Sequence, residues 1–126
     1  MVVFDITKRK VVAQKVKVAR QFYQRMRGLI GARALGQEEG LLITRCQGIH
    51  TFGMAFAIDA VFLNSQNVVV RVCPSLAPNT FGPTAFAAKS VLEFPVGTIA
   101  KCCVEVGDTL CLLGAEDPPV TEQFGS

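Results

Sequence analysis

The chain has 126 residues, half of them hydrophobic, with 13 Lys or Arg against 10 Asp or Glu and a formal net charge of +3. That length fits one domain, and that apolar share lets a core form without a disulfide or metal staple. No apolar run reaches the roughly 18 residues a membrane helix needs, so no membrane span is expected.

In chain order, residues 2 to 6 read as a short strand, followed by a turn over Thr7 to Arg9. Residues 10 to 18 alternate, with Val12, Gln14, Val16 and Val18 on one side and Ala13, Lys15 and Lys17 on the other, the pattern of a half-buried strand. The period changes over Arg20 to Met26. Phe22, Met26 and Leu29 fall at i, i+4 and i+7, one face of a helix, which Gly28 and Gly31 end or bend. Gly40 opens the strand LLIT. Ile58 to Leu63 is apolar on both faces and reads as a strand buried on both sides. The turn Asn64-Ser65-Gln66-Asn67 joins it to VVVRV in a hairpin. Residues 74 to 88 form a long Pro- and Ala-rich loop, of a length often functional in compact domains. Further strands are predicted at 90–94, 98–105 and 109–113, and the tail AEDPPVTEQFGS, residues 115–126, reads as disordered. The outcome is a single β-rich domain over residues 1–114, α+β in class and mostly β, with one short helix.

Charge is uneven. Residues 1 to 45 carry ten basic and three acidic side chains, and residues 46 to 126 three basic and seven acidic. The basic residues are scattered over a strand and a helix, which is the pattern of a solvated face. With one Tyr, no Trp and no recognised motif, nucleic acid is not an expected partner. Five cysteines, Cys46, Cys73, Cys102, Cys103 and Cys111, show no disulfide framework and read as reduced, mostly buried thiols. The start MVVFDITKRK is not a signal peptide, because its apolar residues precede its basic ones. The sequence as given therefore reads as cytoplasmic, with export the alternative if a leader was removed upstream.

The most informative stretch is CQGIHTFGMAFAIDAVFL, Cys46 to Leu63, which holds the only histidine, His50, and an acid nine positions later, Asp59. Polar groups placed among Ile, Phe, Met and Val need partners. On strand parity Asp59 shares a face with Val61 and Leu63. Either it orients His50, as a catalytic base or metal ligand requires, or it caps backbone N–H groups while His50 packs over it. Cys46 and His50 are spaced as C-x-x-x-H, but no second His and no C-x-x-C completes a closed zinc site, so no metal is expected. Cys46 as a nucleophile activated by His50 is the enzymatic alternative, with Asp59 as third member. Met54 and Phe56 read either as core or as the mouth of an apolar pocket. Gly28-Leu29-Ile30-Gly31 lacks the Walker lysine and reads as a helix end. Glu93, ahead of Pro95 and Gly97, is assigned a structural role, with Arg25 as its candidate partner. Gly107 and Asp108 read as a turn.

The motif IHTFGMxFxID, with GLIG upstream and VLEFPVGT and VGD downstream, resembles domain-of-unknown-function family 192. The resemblance spans roughly residues 10 to 113. It implies a compact barrel-like mixed sheet with one helix at its side and a site at the signature loop, without implying a reaction. It also implies that many relatives are exported. The chain departs from the pattern at Ala55 and Ala57, where a basic residue and a proline are usual, and at Ala32, where an arginine often stands. An anion site held by those cations has lost part of its residues here.

The expected function is a binding or accessory module without a cofactor, acting on an unidentified small molecule or protein partner. Its surface would be a cleft between the 46–59 loop and the 74–88 loop, with His50, Thr51, Met54, Phe56 and Asp59 as ligand-binding residues. One alternative is a hydrolase-like enzyme drawing on His50, Cys46 and Asp59. A second is an electrostatic docking protein using the basic N-terminal half.

Overall fold

A computed structural model describes residues 1–19, 35–51, 54 and 56–114, the side chains of Ala19 and His50 aside. The helix expected over Arg20 to Met26, with Gly28, Gly31 and Arg25, lies outside the described residues, as does the tail from residue 115.

The centre is a five-stranded mixed sheet ordered β3-β4-β9-β6-β7. Its strands are β3 (Lys15–Ala19), β4 (Glu39–Thr44), β6 (Ile58–Leu63), β7 (Val69–Leu76) and β9 (Ser90–Pro95). β3 and β4 run parallel, and the other neighbours are antiparallel. β6 is buried at all six positions because both faces of the sheet are covered. Val61 and Leu63 point to one side, with Leu42, Leu92 and Phe94. Ile58, Ala60 and Phe62 point to the other, with Leu41, Ile43 and Val91.

Different elements cover the two faces. On the Val61 side pack β1 (Val2–Asp5), β2 (Lys10–Ala13) and β10 (Leu110–Leu113), a three-stranded antiparallel sheet ordered β10-β1-β2. They bring Val3, Val12 and Leu110 into one core, which Ile99 and Cys102 of helix α1 (Thr98–Cys102) complete. On the Phe62 side lies a two-stranded antiparallel ribbon of β5 (Gly48–His50) and β8 (Phe81–Thr84). Ile49, Cys46, Met54 and Ala88 fill the space beneath it.

The mostly-β α+β class expected from the sequence holds, with α1 as the one short helix among the described residues. The sheets are open, which corrects the barrel-like closure: β3 and β7 end the central sheet without pairing to each other. Three element assignments also change. The strand expected at 98–105 is a helix over Thr98–Cys102, followed by a turn. Gly97, at φ 101°, turns the chain out of β9 just before Thr98, and Cys103 in the left-handed region ends the helix directly after Cys102. The 74–88 loop is shorter than expected, because β7 continues to Leu76 and β8 pairs with β5. The single strand over 10–18 is two: Gln14 separates β2 from β3, and Val12 and Ala13 are both buried where alternation would expose one.

The hairpin of β6 and β7 is as expected. The Asn64 side chain accepts hydrogen bonds from Gln66 N and Val68 N at 2.9 Å each, and Asn67 takes a positive φ of 61°. An asparagine does both at low cost.

Candidate functional site

Asp59 sits on β6, and its carboxylate is spent on backbone. Oδ1 accepts from Ser75 N at 2.9 Å, and Oδ2 accepts from Gly97 N at 3.1 Å and Ile99 N at 2.9 Å. Helix α1 has no side-chain cap of its own. Asp59 supplies one from a strand some forty residues earlier and satisfies amides that would otherwise be orphaned at a buried helix start. The residue is only 1% exposed. Its face is that of Val61 and Leu63, opposite to Met54, Cys46 and Ile49. The five residues proposed to line one cleft are therefore not all brought together: Asp59 belongs to the α1 side of the central sheet and Met54 to the ribbon side.

Thr51 is a tie rather than a free donor. Its hydroxyl donates toward Ala77 O at 2.6 Å and accepts from Thr80 N at 2.9 Å, with Thr80 Oγ1 a further 3.2 Å away. Its main chain exchanges bonds with the same turn, through Thr51 N to Thr80 O at 2.9 Å and Asn79 N to Thr51 O at 2.8 Å. The signature loop and the 77–80 turn are thereby joined, and Thr51 is fully buried. Met54 is core, and Phe56 is half-buried against the same cluster. The Cys46 thiol is buried and donates to Gly48 O at 2.8 Å. The main chain of His50 stands opposite Phe81 in the ribbon, and its side chain lies outside the described residues.

The expected cleft between the two loops is occupied by pairing. Gly48 faces Thr84 and His50 faces Phe81 across the ribbon, and Ala85 N donates to Gln47 O at 2.8 Å. The approach is close enough to demand glycine. A Cβ on Gly82 would lie 2.5 Å from Ile49 O, and one on Gly48 would lie 2.7 Å from Thr84 Cγ2. Two cavities among the described residues lie elsewhere. One of about 270 Å³ is lined by Met1, Val16, Leu35 and Leu41, and one of about 200 Å³ by Val12, Glu38, Pro95 and Lys101.

The ribbon has two features that the sequence reading passed over. Phe81 is 83% exposed and Phe86 is 90% exposed, far beyond any other described aromatic side chain. Arg71 on β7 donates to Thr84 O at 2.9 Å, which sets a guanidinium beside them. The signal was present as two phenylalanines in a Pro-, Gly- and Ala-rich stretch with no apolar period around them.

Among the residues assigned structural roles, Glu93 is buried on β9, opposite Leu41 and Ala60. By strand parity it lies on the Val91 face, so the acid on the ribbon side of the sheet is Glu93 and not Asp59. Pro95 closes β9, and its carbonyl accepts from Thr98 Oγ1 at 2.8 Å. Gly97 and Gly107 both have φ near 100°. Asp108 takes part in the expected turn, accepting from Glu105 N at 3.1 Å, and does more. Its carboxylate receives Lys8 Nζ at 2.9 Å, which also reaches Glu105 at 2.8 Å and Cys103 O at 2.7 Å. Fully buried Asp5 lies beside it, with Oδ1 accepting from Lys8 N at 3.0 Å and Oδ2 facing no donor. Burial pushes the Asp5 carboxyl up, and a hydrogen bond shared with Asp108 adds to the rise. Burial works against ionisation of Asp108 too, but hydrogen bonds from Asp5 and Lys8 hold its pKa below the usual carboxylate range. The two carboxyls thus share a hydrogen bond that moves their pKa values in opposite directions, Asp5 up and Asp108 down. Hydrogen bonds to Glu105 and then Asp108 hold the Lys8 ammonium well above its ordinary pKa.

The five cysteines are free, with Cys46 and Cys102 buried and Cys103 exposed. Among the described residues no three His, Cys, Asp or Glu side chains gather as metal ligands, and no helix is long and apolar enough to cross a membrane.

Comparison with known proteins now decides the family. The model of domain-of-unknown-function family 192, described as an uncharacterized ACR, matches residues 3–112. The chain belongs to this family. A UPF0127 protein of Thermococcus sibiricus is 34% identical over 108 residues, covering 82% of this chain and 70% of the relative. A crystal structure of a protein of unknown function from Novosphingobium aromaticivorans superposes with a TM-score of 0.73 at 21% identity, over 88% of this chain and 82% of that one. A Sinorhizobium meliloti protein described as a supposed transcription regulator gives 0.72 at 19% identity, over 87% of this chain and 89% of that one. At these identities the two structures share the fold and establish nothing further. The family assignment names no reaction.

Proposed function

We propose that this family member is a small binding or accessory module whose recognition surface is the outer side of the β5–β8 ribbon and the signature loop joined to it. The observation that carries this reading is the exposure of Phe81 and Phe86 on one short segment. A phenylalanine left in water forgoes about 1.5–3 kcal/mol of burial energy, so two together mark a surface that is covered in use. The ribbon is also held in place for that role: Thr51 ties the loop to the 77–80 turn, and Gly48 and Gly82 let the strands close on each other. A hydrolase-like triad is supported less well. Asp59 is the orienting carboxylate it requires, and its two oxygens serve backbone amides, Oδ1 that of Ser75 on β7 and Oδ2 those at the start of α1.

Site-specific photo-crosslinking in cells tests the reading. A photoreactive residue is placed at exposed Ala87, beside Phe86, and a second at exposed Val106 on the α1 side. Adducts concentrated at position 87 are expected. Equal yields at the two positions, or none at 87, would remove the basis for a ribbon-centred surface.

A further inference from the structure

We infer that the ribbon docks on the surface of an anionic phospholipid bilayer. This rests on the reading of the ribbon as the recognition surface and names the partner. Beyond the two phenylalanines, the argument comes from charge. Between Gly40 and Leu92 the chain has a single acid, Asp59, and that carboxylate is buried and turned to the α1 side. The same span and its immediate flank carry Arg45, Arg71 and Lys89, all exposed.

Arg71 touches the ribbon directly, and Arg45 and Lys89 stand on backbone at its flank. Arg71 Nη1 sits 2.9 Å from Thr84 O, two residues before Phe86. Cys46 N, next to Arg45, donates to Lys89 O at 3.0 Å. Gln47, one residue further, donates to Phe86 O at 2.8 Å. Apolar rings with a cationic surround and no exposed acid match a negatively charged interface. The rings enter the headgroup region, and the cations meet phosphate.

Peptide capture by strand addition fits less well. The Thr84 carbonyl at the end of β8 already accepts from Arg71, and the Phe86 carbonyl just beyond it from Gln47. Protruding side chains insert into a bilayer interface without a pre-formed pocket.

The test is sedimentation of the full chain with vesicles of phosphatidylglycerol mixed with phosphatidylcholine, beside pure phosphatidylcholine vesicles. Binding to the mixed vesicles, weakening as salt is raised, is expected. Phe86→Ala should lower the partition by about tenfold or more, and Arg71→Gln by about fivefold. Val106→Ala, on the opposite face, should leave it unchanged. All three positions are exposed, and melting curves confirm that each variant folds.

Failure to bind mixed vesicles, equal binding to both compositions, or an equal loss in Val106→Ala would each overturn the bilayer inference. Crosslinks from position 87 to an acidic protein, without vesicle binding, would overturn it while leaving the ribbon reading intact. Absence of both vesicle binding and position-87 crosslinks would remove both.

Discussion

At the scale of single residues, the chain places its buried acids to hold turns. Asp59 is the clearest case, because one carboxylate satisfies three amides from two elements. Asp59→Asn keeps the size but leaves one acceptor oxygen for three donors, and chemical denaturation should show a loss of about 2–4 kcal/mol. A loss below about 0.5 kcal/mol would mean that water or backbone shifts replace the carboxylate. The Asp5–Asp108 pair predicts a pH dependence of definite sign. Asp5 has a raised folded pKa, so its contribution is present at low pH and is lost as pH rises through that pKa. Asp108 has a lowered one, so its contribution is present above the ordinary carboxylate range and is lost as pH falls through its depressed pKa. Asp5→Asn keeps a donor toward Asp108 and removes the titration. Thermal melts followed upward in pH from the ordinary carboxylate range should therefore lose the decline expected of the wild type as Asp5 ionises, while the acid-side decline due to Asp108 remains. A variant that keeps the full wild-type decline with rising pH would show that Asp5 is not its source.

At the scale of elements, the ribbon depends on close backbone approach. Gly82→Ala would set a Cβ against the Ile49 carbonyl, an atom that cannot turn aside. The variant should lose about 1–3 kcal/mol and speed hydrogen exchange at Thr51 and Ala85, whose amides bridge the ribbon and its turn. Unchanged exchange at both amides would show that the pairing is not held by this contact. Much of the element order was readable in the chain. β1, β4, β6, β7, β9 and β10 stand where apolar runs and the Asn-rich turn put them, because buried strands announce themselves by composition. The misreadings have physical causes. The segment from 98 to 105 has the apolar content of a strand, and its helix is set by a cap arriving from Asp59, a contact distant in sequence. β8 has too few apolar residues to signal burial and is a strand only because β5 lies beside it.

At the scale of the molecule, the central sheet divides the candidate residues between two faces. Parity alone put Asp59 with Val61 and Leu63, as the structure has it, but sequence offers no way to tell which layer covers which face. For that reason one cleft was expected where two layers exist, and the phenylalanines on the outer one went unremarked. The division makes a strong demand on variants: a change at buried Asp59 on the α1 side should alter stability alone, and a change at an exposed ribbon side chain such as Phe86 should alter recognition alone. The most direct test is the crosslinking yield from position 87 in two backgrounds, Phe86→Ala and Asp59→Asn, read beside melting curves below the transition of each. The account predicts that Phe86→Ala loses most of the crosslink with an unchanged melt, and that Asp59→Asn melts earlier yet crosslinks as the wild type does. A folded Asp59→Asn protein that lost the crosslink as fully as Phe86→Ala would place Asp59 in the recognition site and contradict it.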